Sequence, residues 1–252
     1  MIGAGNVSTH ISRHLHSAGK QISCIYSRTE ESAQKLAGEL GVPGTSKIEE
    51  VPAEADFYIL AVPDREVLPV AENFHHTSGI WLHTAGALAM DVFKGIFENY
   101  GVLYPLQTLS SDRPLDASKL PLLLEGSSPE VADSILKLLS KVYEQVREVD
   151  SETRLAIHTA AVFANNFSTQ MVHMAKQILT DRNVDPKVLD PLVEETFEKI
   201  KSMGTENGRT GPAVRGDSET MKKHRELLKD HPEWEKLYTF ISREIERLHD
   251  KF

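Results

Sequence analysis

The chain has 252 residues, a length that suits one large domain or two modest ones. Apolar residues make up 40% and charged residues 26%, as in soluble globular proteins, and a net charge of −9 speaks against a nucleic-acid or anionic-membrane partner. Cys24 is the only cysteine, which excludes an intrachain disulfide; read as a buried thiol, with no leader pattern and no apolar run near the ~20 residues that span a bilayer, it points to the cytoplasm.

From the start, Asn6 to Ala18 has apolar residues three or four apart and reads as a helix, stopped by Gly19. Gln21 to Tyr26 reads as a buried strand. Thr29 then caps a helix running to Leu40, with Glu30 and Glu31 in its first turn and Gly41 past its end. Asp56 to Val62 is a second buried strand, stopped by Pro63, and Glu66 to Phe74 is helical. Short strands follow at Ile80 to His83, Val102 to Tyr104 and Leu122 to Leu124, then a helix at Val131 to Val142 and a last strand at Gln145 to Val149.

The pattern stops near Asp150. A long helix, Glu152 to Leu179, is capped by Asp150 or Ser151. Three more follow: Pro186 to Met203, Ser218 to Leu228 and Pro232 to His249, with a Gly-rich loop, Gly204 to Gly216, between the second and third. Alternating strands and helices mean a parallel sheet with crossover helices. The expected fold is therefore α/β, a doubly wound parallel Rossmann sheet over 1–149, followed by an all-α domain over 150–252.

The first turn carries a motif. Gly3-Ala4-Gly5-Asn6-Val7-Ser8 fits G-x-G-x-x-small: a tight turn, a close backbone approach to pyrophosphate, and tight helix–sheet packing. Glycine turns are common, but here a helix follows at once and a strand returns at the expected distance. Only Met1 and Ile2 precede Gly3, whereas a Rossmann sheet has a central strand of about five residues there, so residues upstream of Met1 are expected in the natural chain.

An NAD site places Asp or Glu at the end of the second strand. This chain has Tyr26-Ser27-Arg28-Thr29, and the first carboxylate is Glu30 in the next helix. Ser27, Arg28 and Thr29 suit a 2′-phosphate, since a guanidinium fork matches phosphate oxygens; the plainer alternative is a solvated arginine. The expected cofactor is NADP.

These residues resemble a family of NADP oxidoreductases with a Rossmann domain and a helical domain of unknown function. The likeness rests on GAGNV at the start, YSRT after the second strand, AVPD at 61–64, HTAG at 83–86, YPLQT at 104–108, HTAAVFANNF at 158–167 and TGPAVRGD at 210–217. It is more distantly similar to pyrroline-5-carboxylate reductase, ketopantoate reductase and the 6-phosphogluconate dehydrogenase-like proteins. The resemblance implies that the first half holds NADP and that the helical half closes over the nicotinamide and forms a homodimer. It also implies that Ala61, Val62 and Pro63 border the cofactor. Hydroxyacid dehydrogenases of this kind carry a catalytic lysine four residues before an asparagine; here those positions are Ala161 and Val162, which counts against that mechanism.

Candidates for chemistry follow. His83 and Thr84 end a strand beside the expected nicotinamide. His83 is either the first candidate proton donor or a histidine held by backbone bonds. Asp64 reads as a helix cap. On the long helix, His158, Val162, Asn165 and Thr169 share one face, and Asn165 and Asn166 need partners if buried: substrate, or another helix. Arg215 either clamps a substrate carboxylate, or pairs with Asp217 or caps a helix end. No metal site is expected. The leading reading is an NADP-dependent oxidoreductase moving a hydride to or from a small carbonyl, hydroxyl or imine compound. The alternative is a non-catalytic NADP-binding sensor or interaction module; transfer to a deazaflavin is a third possibility.

Overall fold

A computed structural model describes residues 1–74, 77–208 and 210–249. The strands are β1 (Ile25–Tyr26), β2 (Gly44–Thr45), β3 (Glu54–Leu60), β4 (Ser78–His83), β5 (Tyr100–Pro105), β6 (Leu122–Gly126) and β7 (Val146–Glu148). Between them run α1 (Asn6–Ser17), α2 (Glu30–Leu40), α3 (Asp64–Ala71) and α4 (Pro129–Leu139). β2 lies beside β1, and Ile2 bridges Tyr26 of β1 to Leu60 of β3. The sheet continues β3-β4-β5-β6-β7, parallel except where β5 meets β6. With Ile2 at its centre, the order is that of a doubly wound sheet. The carboxyl ends of β1, β3, β4 and β5 therefore share one edge with Gly3.

The expected strand from Gln21 shortens to Ile25–Tyr26. Towards Ile2, main-chain bonding runs from the Met1 amine (to Cys24 O, 2.9 Å) to the Gly3 amide (to Tyr26 O, 2.7 Å), and Gln21 to Ser23 have no such bond among the described residues. β2 escapes sequence reading because two residues carry no periodicity. The core fills both sides of the sheet. Leu82, Leu103, Leu122 and Leu124 pack against Ile11 and Ile135 on one side, and Leu60, Trp81, Phe93 and Val67 gather on the other. Trp81 is fully buried between the parallel rings of Tyr58 and Phe97, at 4.5 and 4.3 Å.

The all-α pattern begins at Ser151, where the Asp150 carboxylate accepts the Thr153 amide at 2.7 Å. The expected single helix is interrupted. α5 (Ser151–Ala161) passes into a π-helical turn, Val162–Phe167, before α6 (Ser168–Thr180). Beyond it lie α7 (Asp190–Asn207), α8 (Ser218–Leu227) and α9 (Pro232–His249). Gly204 kinks α7, and Arg209, in the expected Gly-rich loop, lies outside the described residues. The chain divides into two compact units, Met1–Thr169 and Gln170–Phe252. In the second, Lys176 pairs with Asp190 at 2.6 Å and His231 with Asp181 at 2.9 Å. Val188, Leu192 and Phe240 stay 64%, 62% and 62% exposed.

Candidate functional site

The glycine turn sits at the carboxyl edge between β1 and β3. Gly3 has φ +105°, and a Cβ there would lie 2.3 Å from the Ala61 carbonyl oxygen, so turn and β3 touch through backbone alone. Ser8, fully buried, donates its hydroxyl to Gly3 O at 2.6 Å and locks the turn from inside. Gly5 faces the other way: a Cβ there would meet nothing within 4 Å. Gly5 is also the residue before α1, which has no side-chain cap and no acidic residue in its first turn. The leading amides of α1, from Asn6 and Val7 onward, thus open onto space with the helix dipole behind them. That arrangement suits a pyrophosphate. Asn6 itself accepts the Ser111 amide on its Oδ1 at 3.1 Å, and Ala4 and Val7 are half-buried.

Past β1, Ser27 is half-buried, and its amide donates to Thr45 O at 3.1 Å. Arg28 is 72% exposed and only loosely paired with Glu66, at 3.7 Å. Arg65 pairs with the same Glu66 at 3.3 Å. Two arginines from different elements thus share one carboxylate at this corner, and the pattern gave no reason to single out Arg65. Thr29 precedes α2 but does not cap it: its hydroxyl donates to Ser32 Oγ at 2.7 Å. Asp64 likewise is the first helical residue of α3, and Pro63 precedes it without a side-chain cap. Ala61 and Val62 are half-buried and Pro63 exposed at the end of β3.

At the end of β4, His83 is fully buried, and its Nδ1 accepts the Ala85 amide at 3.2 Å. Burial first, and the Arg154 cation second, push its pKa down to about 3. At neutral pH it carries no imidazolium proton to give. Thr84 bonds Leu60 O through both its amide (3.1 Å) and its hydroxyl (3.2 Å). Next to this turn stands a pair that the sequence did not connect. Tyr104 Oη lies 2.9 Å from His158 Nδ1, joining the end of β5 to α5. Gly86 seats the pair: a Cβ there would lie 2.5 Å from His158 Nδ1 and 2.9 Å from Tyr104 Cζ. Tyr104 at the head of YPLQT, at a strand end on the ligand edge, was the available signal.

Arg154, 1% exposed, fixes α5 against this edge. It bonds the Glu125 carboxylate, Leu88 O at 2.6 Å and Ser151 Oγ at 3.1 Å. Glu125 also takes the Ser151 amide and hydroxyl at 2.9 and 2.8 Å. Asn165 and Asn166 lie in the π-turn and are exposed, so in the single chain they do not need the partners that burial would demand. The wider turn also breaks the even spacing expected to set His158, Val162, Asn165 and Thr169 on one face. Arg215, in the second unit, is exposed; the Thr220 hydrogen bonds first, and the Arg215 cation after them, hold the Asp217 pKa down, with no ion pair between the two among the described residues. Asp217 caps α8 instead, accepting the Thr220 amide at 3.1 Å.

Residues 120–245 match the family described as a domain of unknown function, DUF2520, and residues 1–80 match that described as NADP oxidoreductase, coenzyme F420-dependent. A solved "putative NADP oxidoreductase" from Bacteroides fragilis is 35% identical, with 98% of this chain and 96% of that one covered and a TM-score of 0.91. The chain belongs to the DUF2520 family. A Thermotoga maritima protein is 25% identical over 99% of this chain and 97% of its own, at a TM-score of 0.76. A reductive aminase from Aspergillus terreus, solved with NADPH and ethyl-5-oxohexanoate, shares the fold: 15% identity, 100% and 97% coverage, TM-score 0.70. No curated protein matches. The DUF2520 span holds Glu125, Arg154, His158 and the π-turn, and the oxidoreductase span holds the glycine turn and Arg28. His83, Gly86 and Tyr104 fall between the two.

Proposed function

We propose that this DUF2520 protein is an NADP-dependent oxidoreductase that reduces a small imine or carbonyl compound. One observation carries the cofactor: an uncapped helix start behind Gly5 stands beside a strand end with an exposed arginine and no carboxylate of its own. Gly3, Ala4, Gly5, Asn6 and Val7 line the pyrophosphate in this reading. Ser27, Arg28 and Thr29 take the 2′-phosphate, with Arg65 as a second cation, and Ala61, Val62, Pro63 and Thr84 border the rest of the cofactor. The Glu66 carboxylate holds both arginines until phosphate replaces it. Asn165, Asn166 and Arg215 are the substrate-orienting candidates of the helical half. His83 is assigned a neutral role: it fixes the turn through Ala85.

The bound cofactor would supply a hydride to an electrophilic carbon. The protein's own contribution is to hold the two reactants in line and to exclude water. The imine preference is read from relatives whose shared property is fold. Purified protein should oxidise NADPH in the presence of a cyclic imine or a 2-keto acid, and Arg28→Ala should weaken NADPH binding about tenfold while leaving NADH unchanged. Tight NADPH binding with no turnover across a broad panel would favour the non-catalytic sensor. Equal affinities for NADPH and NADH would remove the 2′-phosphate assignment.

A cytoplasmic homodimer completes the reading. In the second unit Val188, Leu192, Phe197 and Phe240 expose large apolar side chains, and exposed apolar surface of that kind marks interaction sites. A second copy of this chain is the partner in this reading, and among the described residues no helix is long and apolar enough to cross a membrane. Light scattering should give twice the mass of the 28.1 kDa chain. A monomer mass at micromolar concentration would contradict this.

A further inference from the structure

We propose that Tyr104 is the proton donor of this site, with His158 as the residue that positions and reloads it. The proposal rests on the reductase reading above and adds the acid that such a reduction requires. Three observations carry it. The phenol oxygen and His158 Nδ1 are 2.9 Å apart, a bond between β5 and α5. The pair rests on Gly86, where a Cβ would collide with both rings, so a glycine there is what lets this contact form. It also stands at the carboxyl edge of the sheet, where Asp64, just past the expected cofactor border, acts electrostatically on Tyr104.

Burial, and secondarily Asp64, raise the Tyr104 pKa, which keeps the phenol protonated and able to donate. The neighbouring charges are Asp64 on α3 and Arg154 one turn earlier on α5; Arg154 is itself paired with Glu125. His83, neutral and buried, is the poorer donor.

A C–H bond forms between the substrate carbon and the hydride, so the substrate gains two electrons and NADPH is oxidised to NADP⁺. The C=N or C=O π bond breaks towards its heteroatom, which takes the Tyr104 hydroxyl proton. The phenolate recovers a proton from the Nδ1–H of the His158 ring as Nε2 of the same ring takes one from solvent, which reaches the half-buried ring. Tyr104 is thus the catalytic residue and His158 acts through it.

Three measurements on the full chain test this. NADPH binding is read by fluorescence, NADPH oxidation is followed with 1-pyrroline and small ketones, and ¹⁵N-histidine spectra are recorded without cofactor. Tyr104→Phe should keep NADPH affinity within about twofold and lower kcat about 100-fold or more. It should also shift the His158 ring-nitrogen signals. His158→Ala should lower kcat about tenfold with NADPH affinity unchanged, and added imidazole should restore part of the rate. The proposal is overturned if Tyr104→Phe keeps kcat within about threefold of the parent. It is equally overturned if the parent binds NADPH yet reduces none of these compounds, or if the histidine spectra ignore the tyrosine. A parent that does not bind NADPH at all fails earlier, at the cofactor reading, and the binding measurement shows that separately.

Discussion

His83 shows how far one residue's surroundings can move its chemistry. The sequence places it at a strand end near the expected nicotinamide, and histidine there suggests proton transfer. The fold buries it beside Arg154 and lowers its pKa from 6.5 to about 3. The native state therefore leaves it neutral where the unfolded chain takes a proton. Stability from this group is complete above pH 6.5 and is lost as pH falls from 6.5 towards 3, at about 1.4 kcal/mol per pH unit. His14, also lowered chiefly by burial, acts in the same direction. Urea unfolding between pH 7 and pH 5 should show stability falling with acidification, and His83→Gln should make that slope shallower. An unchanged slope would mean that His83 is not the buried neutral group described. The residues legible in advance were those whose role is backbone geometry: Gly3, Gly5 and Ser8 follow from motif spacing alone. Tyr104 and His158 were not paired because they lie 54 positions apart, and only the fold brings them together.

Among the elements, the junction between β6 and α5 is the critical one. Glu125 and Arg154 form a buried ion pair whose remaining hydrogen bonds go to Ser151 and Leu88 O, tying the start of the long helix to the segment after β4. Removing one partner of such a pair strands the other in a dry site. Glu125→Gln is expected to destabilise the protein by about 3 kcal/mol, read from the urea midpoint. It should also disturb the Tyr104–His158 contact, because His158 lies one turn past Arg154. A loss under about 1 kcal/mol would place this pair among ordinary surface bridges. The sequence foretold these elements through their periodicity and caps, Asp150 most directly. It did not foretell the π-turn at Val162–Phe167, because the apolar spacing of VFANNF fits an α-helix equally well. Such turns recur at functional sites, and this one carries both asparagines of the candidate site.

At the scale of the whole molecule, the order of elements was readable and the edges were not. A glycine turn, alternating strands and then helices specify a doubly wound sheet followed by an all-α region, and the relatives share that architecture. Strand ends moved because pairing depends on neighbours far along the chain: Gln21 to Ser23 lead into β1 but have no ladder bond among the described residues. The exposed side chains of the helical half were legible only as excess hydrophobicity, since a sequence does not say what covers a face. The account as a whole depends on one cofactor at one edge of the sheet. Titration of the purified protein with NADPH and NADH, followed by nicotinamide fluorescence, tests it most directly. NADPH should bind at least about tenfold more tightly, as a charge-assisted 2′-phosphate contact requires. Equal affinities, or no binding of either, would contradict it.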